Sequence, residues 1–106
     1  IMDNIDEIRS ALAIQCLPFG VIEKEKIYDI VHEAIMAIDA SGLSYTVGPF
    51  ETVIEGPLTK LLEVAGNAHK AMLKAGVSTC ATYMKLWSGN IGTSEEKTKN
   101  YRARGH

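Results

Sequence analysis

The chain has 106 residues, of which 46% are hydrophobic and 23% are charged, a composition that excludes disordered, collagen-like and coiled-coil proteins. Eleven basic and thirteen acidic residues give a net charge of -2, so the basic excess of a nucleic-acid-binding protein is absent and we expect no nucleic-acid partner. The length is typical of a single domain, which we expect over residues 11–88, with residues 1–10 and 89–106 as flanking tails.

Several other classes of protein are also disfavoured. No segment approaches the ~20 apolar residues of a membrane span, and the acidic N-terminal segment differs from a signal peptide, so we expect a cytoplasmic protein without membrane insertion. Cys16 and Cys80 are too few for a disulfide scaffold or a zinc site and are expected to be free thiols near each other in the core. No nucleophile, nucleotide or metal motif occurs, so we expect no metal, no cofactor and no enzymatic activity.

The first half of the chain predicts one strand and one helix. Residues 10–17 alternate between two sets of side chains, which predicts a strand that ends before Pro18. From Glu23 the apolar residues recur with helical spacing up to Ile38, and Gly42 is placed where a helix ends in a left-handed residue.

The second half predicts a hairpin, a helix and a strand. Residues 43–48 and 51–55 alternate on either side of a Gly-Pro turn. Pro57 is expected at the first position of a helix that ends at Gly76, and residues 77–87 alternate again. The order β-α-β-β-α-β predicts an α+β ferredoxin-like sandwich, a four-stranded antiparallel sheet with both helices on one face. Its first and third strands are central, and the fourth lies beside the first.

The alternation assigns each strand residue to one face of this sheet. The face toward the helices is expected to carry Leu12, Ile14, Cys16, Ile54, Cys80, Met84 and Leu86. The opposite face, called the open face below, is expected to carry Ala13, Gln15, Leu17, Val53, Glu55, Ala81, Tyr83, Lys85 and Trp87. Ser44 and Thr46 join it if Leu43, Tyr45 and Val47 point inward. A sheet face with this many apolar and aromatic groups is rarely left in water. We therefore expect a homo-oligomer, most simply a dimer of dimers, in which sheets pair; a plain Glu55–Lys85 ion pair in that interface is the alternative to a ligand site.

One stretch resembles a known family. Residues 41–45 read SGLSY, residues 47–49 read VGP and residues 52–56 read TVIEG, a pattern similar to the signature of the MTH1187/YkoF-like group of thiamine-binding proteins. The resemblance extends over residues 11–102. It implies a ferredoxin-like fold, oligomers built by pairing sheets, and binding of thiamine or its hydroxymethylpyrimidine moiety without catalysis.

On this resemblance the ligand-binding residues are expected to be Gln15, Thr46, Thr52, Glu55, Tyr83 and Lys85. A carboxylate and neighbouring hydroxyl groups match the edge of an aminopyrimidine, so Glu55 would anchor the ligand while Thr52 and Gln15 add hydrogen bonds. Tyr83 or Trp87 offers a stacking surface, and Lys85 would balance the charge of Glu55.

Two other functions stay open from the sequence. The first is a structural or regulatory oligomerisation module of the same fold that binds no thiamine. The second is a small-substrate enzyme, against which the absence of a catalytic motif argues.

Overall fold

The computed structural model describes residues 4–89. In this part of the chain one antiparallel sheet has the strand order β2-β3-β1-β4, which confirms the predicted ferredoxin-like fold with central first and third strands. The elements are a 3-10 helix (Ile5–Glu7), β1 (Arg9–Phe19), α1 (Lys24–Asp39), β2 (Ser44–Val47), β3 (Thr52–Pro57), α2 (Leu58–Lys74) and β4 (Thr79–Ser88). Of the predicted C-terminal tail, residues 90–106 lie outside the described residues.

Helix α1 buries one stripe of its surface and ends where the sequence predicts. Its buried residues, Ile30, Ala34 and Ile38, are spaced by four and therefore lie on one side of the helix. Gly42 has a φ of +76°, the left-handed conformation that glycine adopts without strain. Among the described residues, no helix is both long enough and apolar enough to cross a membrane.

Helix α2 begins one residue later than predicted. Pro57 is the last residue of β3 and the N-cap of α2, so its missing N–H falls where the helix does not require a donor. The N–H of Leu58 donates to the carbonyl of Ile8 at 3.0 Å, and the hydroxyl of Thr59 donates to Asp6 Oδ1 at 3.0 Å. Residues that precede the predicted domain start at position 11 thus pack against the first turn of α2.

Strand β1 continues through Pro18, where the sequence predicts that it stops. The pairing of β1 with β3 ends at Ile14, whereas its pairing with β4 continues to Phe19. Beyond Ile14 the strand therefore has one neighbour instead of two, a setting in which the missing N–H of proline is tolerated.

The core lies between the sheet and the two helices. Leu12, Ile14 and Ile54 are fully buried there together with the inner stripes of both helices, as predicted. Met84 and Leu86 lie on the predicted side of the sheet, but both are exposed and neither belongs to the core. They share the helix-facing row with Ile14 and Leu12, but β4 is an edge strand with β1 as its one neighbour in the sheet.

Both cysteines are free, partly buried and packed against this core. Burial, and secondarily the nearby Cys80 thiol, raises the pKa of the Cys16 thiol to about 11. The folded protein therefore favours the neutral thiol at Cys16 more strongly than the unfolded chain does.

Replacing Ile54 with Ala should lower the free energy of unfolding by about 2–5 kcal/mol, because the lost methyl groups leave a cavity in the core. Ile54 is 0% exposed and Ile22 is 93% exposed, so Ile22→Ala is the control and should change stability by less than about 0.5 kcal/mol. Urea denaturation followed by circular dichroism measures both. Equal effects of the two substitutions would contradict this account of the core.

The protein should lose stability at alkaline pH through Cys16. The pKa of Cys16 is raised in the folded state to about 11. The contribution of this shift to the free energy of unfolding is therefore complete below the ordinary thiol pKa of about 8.5, and it is lost as the pH rises through the folded value. Denaturation under reducing conditions across this range should show a steeper fall for the parent than for Cys16→Ala. Parallel curves for the two proteins would contradict the prediction.

Candidate functional site

The open face is organised in rows that run across the strands. Side chains directly opposite each other in antiparallel strands project to the same face. In one row Ala11 lies opposite Glu55 on β3 and opposite Trp87 on β4. In the next row Ala13 lies in the same way between Val53 and Lys85. The small side chains of the two alanines therefore form a strip between larger side chains on both neighbouring strands.

This strip is the floor of a shallow depression of about 250 Å³, lined by Ala11, Ala13, Val53, Lys85, Leu86 and Trp87. Trp87 is 65% exposed and supplies an aromatic wall. Tyr83, the aromatic residue predicted for the site, is 60% exposed on the same face but is not part of this lining. The depression offers a flat apolar surface of the kind on which an aromatic ring can stack.

Glu55 borders the depression and pairs with Arg9, which the sequence analysis did not identify as a candidate site residue. Arg9 Nη2 donates to Glu55 Oε2 at 2.9 Å, and the Glu55 side chain is only 15% exposed. Within one chain Glu55 therefore pairs with Arg9, and the Glu55–Lys85 ion pair in an oligomer interface stays the alternative to a ligand site. Arg9 precedes Ala11 by two positions and therefore lies on the same face of the sheet. The alternation of β1 would have placed Arg9 on the open face if it had been extended to this residue.

Lys85 has a different carboxylate partner. Its ammonium group donates to Glu51 Oε1 at 3.2 Å, and both groups are solvent-accessible. Glu51 belongs to the turn before β3, and its carbonyl accepts the N–H of Gly48 at 3.0 Å. The open face thus carries two separate ion pairs, and the depression lies between them.

The structure brings five of the six predicted residues to the open face. Gln15 lies opposite Tyr83, and Thr46 lies beside Val53 on the edge strand β2. Thr52 is the exception: it lies opposite Ile14 and is buried on the helix-facing side. Thr52 is two positions from Ile54 and so shares the core face; its role in the ligand site stays a prediction, and its side chain does not lie on the open face with the other five.

A second concave surface lies at the other side of the molecule. This cleft, of about 930 Å³, is between the start of α1 and the end of α2 and includes Lys26, Asp29, Glu33 and Lys74 in its lining. None of the six predicted residues lines it. Within residues 4–89, moreover, no group of three or more His, Cys, Asp or Glu side chains is arranged to hold a metal ion.

Sequence comparison identifies relatives over most of the chain. A family described as thiamine-binding protein matches residues 12–102. The UPF0045 protein CPE1503 of Clostridium perfringens is 29% identical over 92 residues, which are 86% of this chain and 95% of that protein.

Solved structures have the same fold. The domain of unknown function DUF77 from Bacillus cereus superposes with a TM-score of 0.81 and 30% identity, covering 96% of this chain and 98% of that one. A Thermotoga maritima protein (TM0486) that is described as a "putative thiamine biosynthesis/salvage protein" gives a TM-score of 0.77 at 21% identity, covering 89% of this chain and 99% of that one. At this identity the second likeness concerns the fold alone.

Proposed function

The chain belongs to the thiamine-binding protein family, and on that premise we propose that the depression on its open face binds thiamine or its hydroxymethylpyrimidine moiety without transforming it. The observation that carries this proposal is the row formed by Glu55, Ala11 and Trp87. In this row the small side chain of Ala11 lies between the carboxylate of Glu55 and the aromatic ring of Trp87. The two flanking residues are two interstrand spacings apart, roughly 10 Å, which is room for one heteroaromatic ring.

The chemistry of the row suits an aminopyrimidine. Such a ring presents an amino donor beside ring-nitrogen acceptors, and Glu55 supplies acceptors while Arg9 supplies donors at the same border. The ring plane would stack on Trp87. The thiazolium cation of thiamine would be favoured by the same aromatic surface and by the carboxylate.

The other predicted residues have supporting roles in this proposal. Lys85 lines the depression with its charge partly balanced by Glu51, which limits its repulsion of a cationic ligand. Gln15 and Thr46 lie in neighbouring positions of the open face and would hydrogen-bond polar substituents of the ligand. Tyr83 would contact the ligand only at the margin of the depression.

We further propose that a second copy of the chain completes the site, as a homo-oligomer built by pairing open faces. A cavity of about 250 Å³ is smaller than the roughly 300–1,000 Å³ of typical ligand sites. It leaves one side of a bound ring in water. A facing sheet would cover the ring and the exposed Tyr83 and Trp87, and two such dimers would give the dimer of dimers that the sequence favours.

Replacing Glu55 with Gln should weaken binding of thiamine and hydroxymethylpyrimidine by about 1.5–3 kcal/mol, tenfold to a hundredfold or slightly more, because a charge-assisted hydrogen bond is lost. Calorimetric titration measures the affinity, and quenching of Trp87 fluorescence, the single tryptophan of the chain, locates the ligand. Glu63→Gln is the matched control, since Glu63 forms an exposed pair with Lys60 on α2. Unchanged affinity in Glu55→Gln would assign Glu55 to a structural pair with Arg9 and favour the oligomerisation module.

The protein should be larger than one chain in solution. Gel filtration with light scattering at micromolar concentration should give at least twice the 11.6 kDa of the chain. Substituting Tyr83 or Trp87 with Lys should shift the distribution toward single chains, because buried charge without a partner is costly. Leu62→Lys, at an exposed position of α2, is the control. A parent protein that remains monomeric would contradict the paired-sheet site, whether or not ligand binds.

A further inference from the structure

A histidine and a cysteine lie together on the other side of β4. His69, on the inner edge of α2, shares a hydrogen bond between its Nδ1 and the Thr82 hydroxyl, 2.7 Å apart. Its Nε2 is 3.7 Å from the Cys80 Sγ, within hydrogen-bond reach for sulfur. Cys80 and Thr82 are two positions apart on β4 and so share the helix-facing side, opposite to the side of Tyr83, Lys85 and Trp87.

This arrangement has the parts of an activated nucleophile. With the hydrogen on Nδ1 directed to the Thr82 oxygen, Nε2 presents a lone pair to the Cys80 thiol and can accept its proton. A nucleophile beside a base that a third group orients is the general pattern of thiol activation. All three residues are partly buried, which leaves access to a small reagent.

A second thiol lies next to this group. Cys16 on β1 is opposite Thr82, so Cys16 and Cys80 are diagonal neighbours on one face. Burial, and secondarily the nearby Cys80, raises the pKa of the Cys16 thiol to about 11. The two thiols are therefore unequal: Cys80 has a base at its sulfur, whereas Cys16 forms its thiolate less readily and reacts second.

We propose that Cys80 is the nucleophile of a thiol oxidation site for small peroxides, with His69 as the base, Thr82 as the residue that positions the imidazole, and Cys16 as the resolving thiol. The size of the reagent follows from the partial burial of the site. The chemical class of the reagent, an oxidant, is inferred from the second thiol, because a neighbouring thiol converts an oxidised cysteine into a disulfide.

The reaction is balanced with a peroxide as the oxidant. Cys80 sulfur attacks one peroxide oxygen, an S–O bond forms, the O–O bond breaks, and the leaving hydroxide takes the proton that His69 accepted. Cys16 sulfur then attacks the sulfenic sulfur, an S–S bond forms, and the oxygen leaves as water with the Cys16 proton. Diagonal neighbours are about 7 Å apart at Cα, so the second step requires a small local shift, which is easiest beyond Ile14 because β1 pairs there with β4 alone.

Alkylation by iodoacetamide tests the activated thiol without an oxidant. In the folded protein near pH 7, mass spectrometry of peptides should show Cys80 modified at least about tenfold faster than Cys16. His69→Gln should slow Cys80 about tenfold, whereas His32→Gln, at an exposed position of α1, should not. Thr82→Val should slow Cys80 and Thr82→Ser should restore its rate. Equal rates at the two cysteines in the parent protein, a comparison that needs no variant, would overturn the proposal.

Hydrogen peroxide tests the second thiol. The parent protein should form a Cys16–Cys80 disulfide within one chain, detected by peptide mapping, while Cys16→Ser should accumulate a sulfenic acid that dimedone traps at Cys80. A dimedone adduct at Cys80 in the parent with no disulfide would overturn the resolving role of Cys16. Oxidation first at Cys16 would overturn the assignment of the nucleophile.

Discussion

The pairing of β1 with β3 on one side and β4 on the other determines which side chains share each face of the sheet. Leu12 lies opposite Ile54 and Leu86, while Ala11 lies opposite Glu55 and Trp87. A slip of one residue in either pairing would exchange the two sets. Burial of Leu12 and Ile54 beneath the helices opposes such a slip, so the contacts that form the core also hold the borders of the open-face depression in place.

The residues of the family signature separate into those that the fold requires and those that it leaves for other uses. Gly42 ends α1 with a positive φ, and a Cβ on Gly56 would approach the Leu43 side chain to about 3.0 Å. Ile54 is in the core, and the Tyr45 hydroxyl donates to Asp39 Oδ1 at 2.9 Å. Glu55 is the charged member of the signature and projects from the open face, where neither core packing nor backbone geometry calls for a carboxylate.

The sequence predicted the order of the elements, the strand order and the face of most strand residues, because alternation and helical spacing report directly on burial. It placed Met84 and Leu86 on the correct side of the sheet but did not predict that both are exposed, because alternation reports the side of a residue and not how much of that side is covered. It also did not predict ion-pair partners. Arg9 is on β1, adjacent to Glu55 and diagonal to it, whereas Lys85 is on β4 with β1 between them; which long side chain reaches a given carboxylate depends on register and rotamer, which alternation alone does not encode.

The histidine beside Cys80 could not be found by spacing either. His69 and Cys80 are eleven residues apart and belong to different elements, and they meet only because α2 packs back over the first half of β4. The alternation of β4 then separates two kinds of chemistry. Cys80 and Thr82 face α2, whereas Lys85 and Trp87 face the depression. Because adjacent residues of a strand project to opposite sides, a substitution on one side leaves the side chains of the other in place, and each site can be altered without removing a residue from its neighbour.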